Sequence, residues 1–487
     1  MIDVLAIASE IYPLVKTGGL ADVTGALPGA MANLGISMRT LVPGYPQVLA
    51  ALSGGRDVAE FTDLWGGPAK LVAGRAGNLN LIVIDAPHLY DRDGGPYVGL
   101  DGVDYPDNWM RFAALSWVGA ELGRGLVDGY RPQVLHAHDW QAGLTPAYVV
   151  FGPPNRAKTV LTIHNLAFQG QYGWDLFPQL KLPPHAFSVE GVEYYGGVGY
   201  LKAGIQCADA LTTVSPTYAG EIRTTDFGMG LDGLLNQRAE VLHGFLNGVD
   251  PEAWDPGEDP ALARTYGAGT ASNRATNKAA LVKRFAIEDG DGPLFGVVSR
   301  LTWQKGMDML VSVIEGIVGL GGRLVVVGSG DKDIEDGFRW AVQRFHGKVG
   351  FVRGYDEKLS RLIQGGADAI LVPSRFEPCG LTQLIGLRYG CVPIVSHVGG
   401  LADTIIDANE AAIEAGVATG LHFYPTTSHA LYEALRRATD LYRQPKVWKK
   451  IQRRGMKADV SWDHSAQKYA DLYAKLTGRQ RDDLQTD

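Results

Sequence analysis

"IDVLAIASEIYPLVKTGGLADVTGALPGAMANLG", residues 2–35, runs from an aliphatic stretch through a cation and two glycines into apolar residues at helical spacing, and closes on Gly35. Residues 2–10 read as a strand and 20–35 as a helix, so Lys16, Gly18 and Gly19 fall where strand becomes helix. A strand feeding a helix through a glycine turn opens a βαβ unit. Such a turn leaves backbone N–H groups bare at a helix N-terminus, which suits a phosphate, and Lys16 adds a full charge. An ordinary glycine turn beside a solvated lysine reads the same way, and this stretch alone favours that second reading slightly.

The alternation continues outward. "RTLVPG" (39–44), "LNLIVIDAP" (79–87), "PQVLHAHDW" (132–140), "KTVLTIHN" (158–165) and "DALTTVSP" (209–216) read as strands of the first half. "PLFGVVSR" (293–300), "GRLVVVGSG" (322–330), "KVGFVRGY" (348–355), "ADAILVPS" (367–374) and "CVPIVS" (391–396) do so in the second. Helical patterns lie between them, which predicts α/β architecture with a doubly wound parallel sheet in each half. Residues 88–111 lack periodicity and read as a long functional loop. "NGVDPEAWDPGEDP" (247–260), with three prolines, two glycines and five acids, has linker composition. The expected domains are therefore 1–250 and 251–460, followed by a helix over 461–478 and a charged tail, 479–487, expected to fray.

A chain of 487 residues exceeds one ordinary core. Its 46% hydrophobic and 20% charged residues are those of a globular protein. A net charge of −8 without a basic block argues against nucleic acid as partner, and no apolar run reaches the length of a membrane span. Cys207, Cys379 and Cys391 form an odd set without metal-ligand spacing, which fits a reducing compartment, and with a strand entered at Ile2 no signal peptide is expected. A cytoplasmic location is expected.

Three further turns carry chemistry. "VVSRLTWQKGMDML" (297–310) offers Arg300 and Lys305 between a strand and a helix. Two solvated cations would look no different alone, but ligands of open α/β sheets gather at the carboxyl ends of strands. "PSRFEPCGLTQLIGLRYGCVPIVS" (373–396) sets Glu377 before a helix whose start, Gly380, Leu381 and Thr382, forms a second phosphate cradle. Helix capping by Glu377 alone leaves the Pro and Gly of the same turn unexplained. In "HAHDWQAGL" (136–144), strand alternation puts His136 and His138 on one face and Asp139 on the other, against a metal site. Asp139 with Trp140 suits a sugar, the carboxylate for hydroxyls and the indole for the ring face. "TIHNLAFQG" (162–170) offers His164 in a similar place.

"KTGGLADV", "HAHDW", "TIHN", "LNGVD", "SRLTWQKG" and "SRFEPCGLTQL", in this order and spacing, resemble the bacterial glycogen synthases and plant starch synthases, from about residue 1 to 478. The resemblance implies two Rossmann-like domains facing a deep cleft, the GT-B architecture, with the last helix returning to the first domain. It implies glucosyl transfer from ADP-glucose to the non-reducing end of an α-1,4-glucan such as glycogen, with retention and with neither metal nor cofactor. By motif, Arg300 and Lys305 would neutralise the leaving diphosphate. Glu377 would receive glucose hydroxyls. Lys16, Gly18, Gly19, Gly380, Leu381 and Thr382 would meet the donor, with Tyr355 near the adenine. Asp139 and His164 would line the glucosyl side, and Tyr97 and Trp140 the acceptor side. Many GT-B enzymes carry a second glutamate eight residues after the first; here that position is Ile385, which leaves the ribose contact unassigned. Retention implies either a covalent adduct on Asp139 or front-side attack, of which the second is preferred. Another retaining nucleotide-sugar glycosyltransferase, or an inactive sugar or nucleotide sensor, are the competing readings.

Overall fold

A computed structural model describes residues 1–153 and 157–479. The end of the tail expected to fray, 480–487, lies outside the described residues. The chain forms two compact units: Met1–Asn247 with Trp462–Asp487, and Gly248–Ser461.

Among the described residues of the first unit, nine strands form one sheet. Its order is Leu242–Gly244, Ala210–Thr213, Lys158–Ile163, Val134–His138, Ile2–Ile7, Ile36–Pro43, Leu79–Asp85, Ala69–Ala76, Ser53–Phe61. The first seven are parallel, and the last two join antiparallel. The central strand shows why both faces are covered. Leu5 and Ile7 enter a core with Phe112 and Leu115, while Ile2, Val4 and Ala6 enter one with Met31, Tyr469 and Tyr473. The second of these cores is closed by the helix Asp463–Thr477, the last among the described residues.

The antiparallel edge was not expected. Ser53–Phe61 is largely exposed and carries two glycines and three charged residues, so it lacks the alternation that marks a half-buried strand. The first helix spans Gly19–Ala32, shorter than the 20–35 read from its pattern.

The second unit holds six parallel strands, in the order Val349–Arg353, Arg323–Gly328, Leu294–Val298, Ala369–Val372, Val392–Ser396, Leu421–Phe423. Numbered along the chain this is 3-2-1-4-5-6, the doubly wound order of dinucleotide-binding sheets. Leu324 and Val326 face one core, Val325 and Val327 the other. These near-continuous apolar runs are what made the strands readable.

Candidate active site

In the first unit the chain winds outward in opposite directions from the neighbouring strands Ile2–Ile7 and Val134–His138. Such a reversal opens a crevice at the strands' carboxyl ends. Glu10 lies just past the first of them, buried. Its carboxylate accepts the Thr17 N–H, the Thr17 hydroxyl at 2.6 Å, the Gly18 N–H at 3.4 Å and the Tyr97 hydroxyl at 2.5 Å. The Tyr97 hydroxyl also lies 2.7 Å from Ser9 Oγ. Glu10 thus holds the Lys-Thr-Gly-Gly turn over the strand end. The sequence reading missed it, since one acid after a strand carries no signal until its partners fold back.

Gly18 caps the helix Gly19–Ala32, and no side chain satisfies that N-terminus. A Cβ at Gly18 or Gly19 would meet nothing within 4 Å. Packing therefore does not demand glycine there, and the bare backbone faces open space. Lys16 is not a lone cation: its Nζ lies 2.7 Å from Asp22 Oδ1 and 5.3 Å from the centre of the Tyr12 ring.

Asp139 corrects the alternation argument. The strand stops at His138, and Asp139 takes φ 57° and ψ −169°. That backbone costs about 1–3 kcal/mol for a residue other than glycine. It swings the carboxylate round to accept the His164 N–H at 2.7 Å and the Asn165 N–H at 3.4 Å. Burial pushes the Asp139 carboxyl up to about 7; the two N–H groups oppose this, and the charge of Glu10 adds to it. A buried carboxyl poised near neutrality is a candidate for a functional role.

The raised value has a consequence for stability. An acid whose folded pKa exceeds its unfolded one supports the fold fully below the unfolded value and loses that support as pH rises to the folded value. For Asp139 the window is 3.8 to about 7, and the loss is on the order of 4 kcal/mol. Asp139→Asn keeps an acceptor for the His164 N–H, tolerates the positive φ and removes the charge. It is expected to unfold at higher denaturant than the wild type at pH 8, at a similar midpoint at pH 4, and to lose turnover. Equal midpoints at pH 8 would contradict the shift.

His136 and His138 are fully buried with ring centres 4.1 Å apart, on one face as alternation predicts. His138 Nδ1 lies 3.0 Å from His164 Nε2. Burial pushes His136 and His164 down to about 3, and His138 well below its usual value, so all three are neutral at pH 7. Among the described residues no group of three or more His, Cys, Asp or Glu side chains is placed to hold a metal. Trp140 packs between Phe112, Tyr172 and Tyr200, and a Cβ on Gly170 would sit 2.4 Å from its ring. The indole is part of the core's edge, half-buried.

In the second unit the winding reverses between Leu294–Val298 and Ala369–Val372. A cavity of about 180 Å³ lies there, lined by Ser299, Arg300, Lys305, Ser374, Glu377 and Thr382 among others. Gly306 makes it possible. It has φ 68°, and a Cβ there would lie 1.9 Å from the Pro373 carbonyl. Only glycine lets the 300–306 turn press against the 373–377 turn. Lys305 Nζ then meets Glu377 Oε2 at 2.5 Å, and Ser374 Oγ donates to the same oxygen at 2.9 Å. Arg375 is spent on structure, doubly bonded to Asp308 at 2.7 Å and stacked on Trp303. The exposed Arg300 guanidinium has no ion-pair or hydrogen-bond partner among the described residues.

Gly380 has φ 73° and precedes the helix Thr382–Tyr389, capped by Leu381. Gln383 Nε2 ties this turn by donating to the carbonyls of Cys379 and Gly380. Gly380 and Leu381 sit beside the cavity's Thr382 without lining it. Ile385 points into an apolar cluster with Val249, Leu262 and Tyr389, a place no carboxylate would occupy unpaired. Tyr355 follows the strand Val349–Arg353 and is 70% exposed. A larger cavity, about 490 Å³, lies by Lys278, Asp368 and Trp448 at the opposite, amino end of the sheet and gathers none of the expected residues.

Comparison with known proteins follows the same division. Residues 3–237 match the family described as starch synthase catalytic domain, and 282–455 that described as glycosyl transferases group 1. Glycogen synthase 1 of Rhizobium meliloti (strain 1021) is 56% identical over 98% of this chain and 100% of its own. The glycogen synthase of Rhodopseudomonas palustris (strain HaA2) is 56% identical over 97% and 98%. The catalytic domain of Arabidopsis thaliana starch synthase IV, solved with ADP and acarbose, superposes with a TM-score of 0.87 at 30% identity, over 98% of this chain and 100% of that one. A sucrose-phosphate synthase of Thermosynechococcus elongatus, at 18% identity and TM-score 0.58, shares the fold.

Proposed function

The chain belongs to the glycogen and starch synthase family of GT-B glycosyltransferases, and from that premise we propose that it lengthens an α-1,4-glucan by moving glucose from ADP-glucose to a non-reducing end, with retention. The observation that carries the reading is the cavity at the second unit's switch point, where the unpaired Arg300 stands beside the Lys305–Glu377–Ser374 cluster. A departing nucleoside diphosphate needs its growing charge met, and cations gathered where it leaves meet that charge. Arg300 and Lys305 take that role. Glu377 receives the sugar's hydroxyls, and Thr382 with Gly380 and Leu381 holds phosphate at the helix start. In the first unit Gly18 and Gly19 offer backbone to the donor, with Lys16 adding its shared charge. Asp139 and His164 take the glucosyl group, Tyr97 and Trp140 the acceptor, and Tyr355 the base. Front-side departure, with the leaving phosphate accepting the acceptor's proton, suits an Asp139 carboxyl already engaged by two N–H groups.

Protein cations stand where other transferases use a metal, so turnover is expected to survive prolonged EDTA treatment. Restoration of a lost activity by magnesium or manganese would refute this. Among the described residues no helix is long and apolar enough to cross a membrane. We place the enzyme in the cytoplasm, where its odd, widely spaced cysteines would stay reduced. The deciding experiment supplies labelled ADP-glucose or UDP-glucose, with glycogen and a chelator. Label entering glycogen from ADP-glucose supports the reading; incorporation from UDP-glucose alone, or into a small sugar instead of glycogen, overturns it.

A further inference from the structure

Two imidazoles of the first unit share a single proton position, and its direction follows from what surrounds them. His136 uses both ring nitrogens: Nε2 lies 2.6 Å from Thr162 Oγ1, and Nδ1 lies 2.7 Å from the Tyr473 hydroxyl of the last helix. Its ring packs against that of His138. His138 is different. Nδ1 meets His164 Nε2 at 3.0 Å, while Nε2 is buried with no hydrogen-bond partner among the described residues. The fourth atom, His164 Nδ1, bonds no described residue and is not among the buried polar atoms that lack a partner, so the ring meets its surroundings there.

Both rings are neutral, since burial holds them far below their usual values. Each carries one N–H, and the contact needs one donor and one acceptor. In the first arrangement His164 Nε2–H donates to His138 Nδ1. The His138 proton must then sit on Nε2, a buried N–H without an acceptor, and His164 Nδ1 is a bare acceptor. In the second, His138 Nδ1–H donates to His164 Nε2. The buried His138 Nε2 is then only an unused lone pair, and the His164 proton sits on the outward Nδ1. Buried N–H groups left without any acceptor are rarer in folded proteins than buried acceptors short of a donor, and that asymmetry decides between the two. The second arrangement wins.

We infer that His138 is a positioning residue that fixes His164 with its Nδ1–H outward, so that His164 offers substrate a hydrogen-bond donor and not a base. For substrate this rests on the glucosyl-transfer reading. The donor suits a sugar hydroxyl or a glycosidic oxygen. It also means that the acceptor hydroxyl's proton is not taken up at His164: Nδ1 already holds a proton, and the Nε2 lone pair is occupied by His138.

The direct test is long-range proton–nitrogen correlation on deuterated enzyme with ¹⁵N-labelled histidine, without substrate, His164 being assigned from the spectrum of His164→Asn. A protonated Nδ1 and an unprotonated Nε2 are expected at His164; the reverse pattern overturns the inference whatever the enzyme's activity proves to be. The second test is kinetic. His138→Leu removes the N–H and is expected to lower kcat about tenfold, the worth of one hydrogen bond, with the donor KM within about twofold. His138→Asn places an amide N–H near the lost Nδ1 and is expected to restore most of kcat and the His164 signal pattern. A purely structural role would leave Asn no better than Leu, and that result, like a wild-type His164 tautomer in His138→Leu, would also overturn it.

Discussion

Replacing Lys305 by alanine is expected to lower kcat/KM by about a hundred- to a thousandfold, the range for removing one preorganised donor from a developing oxyanion. Lys305 carries the charge that the diphosphate would meet, so the loss should appear in ADP affinity as well as in kcat. It also neutralises Glu377 at 2.5 Å in a largely buried pair. Removing one partner strands the other, at a cost in stability of about 3–5 kcal/mol. The double variant, Lys305→Ala with Glu377→Ala, should therefore melt at a higher temperature than Lys305→Ala alone while remaining as inactive. Calorimetry with ADP and a melting series on the three variants check this together. Unchanged ADP affinity in Lys305→Ala would remove the lysine from the phosphate site.

Glu377→Ala should separate binding from chemistry. The carboxylate is assigned to the sugar, so ADP affinity is expected to hold while kcat falls by about 2–4 kcal/mol in transition-state terms. An interaction realised as the sugar reorganises appears in kcat and kcat/KM alike. Freed from its carboxylate, Lys305 should bind ADP at least as well as before. Loss of ADP binding in a variant that still folds would move Glu377 to the nucleotide.

What the sequence revealed depended on how many residues carried each signal. "GRLVVVGSG" announced Arg323–Gly328 because a strand buried on both faces must be apolar throughout. Ser53–Phe61 was silent because an exposed edge needs no such pattern. The turns around Lys16, Lys305 and Glu377 were legible as strand-to-helix junctions with charge and glycine. What those charges do to one another was not. That Lys16 pairs with Asp22, that Lys305 pairs with Glu377 across 72 positions, and that Glu10 gathers Thr17, Gly18 and Tyr97, all depend on which turns the folded sheets bring together. Asp139 misled for a related reason: strand alternation holds only while the strand continues, and one positive φ at its end redirects the next side chain. Ile385 became intelligible only once its helix showed which side faces the apolar cluster.

The helix Asp463–Thr477 gives the first unit a debt to the order of synthesis. Its Tyr469 and Tyr473 complete the core over Ile2, Val4 and Ala6, and Tyr473 holds His136. Yet about two hundred residues, 248–461, emerge from the ribosome between that core and its last wall, an interval of about 10–40 s at ordinary translation rates. During that time one face of the nascent sheet stays uncovered and His136 lacks the Tyr473 hydroxyl and the Tyr469 ring that cover it in the finished fold. The first half thus waits, apolar face exposed, for the second to be made.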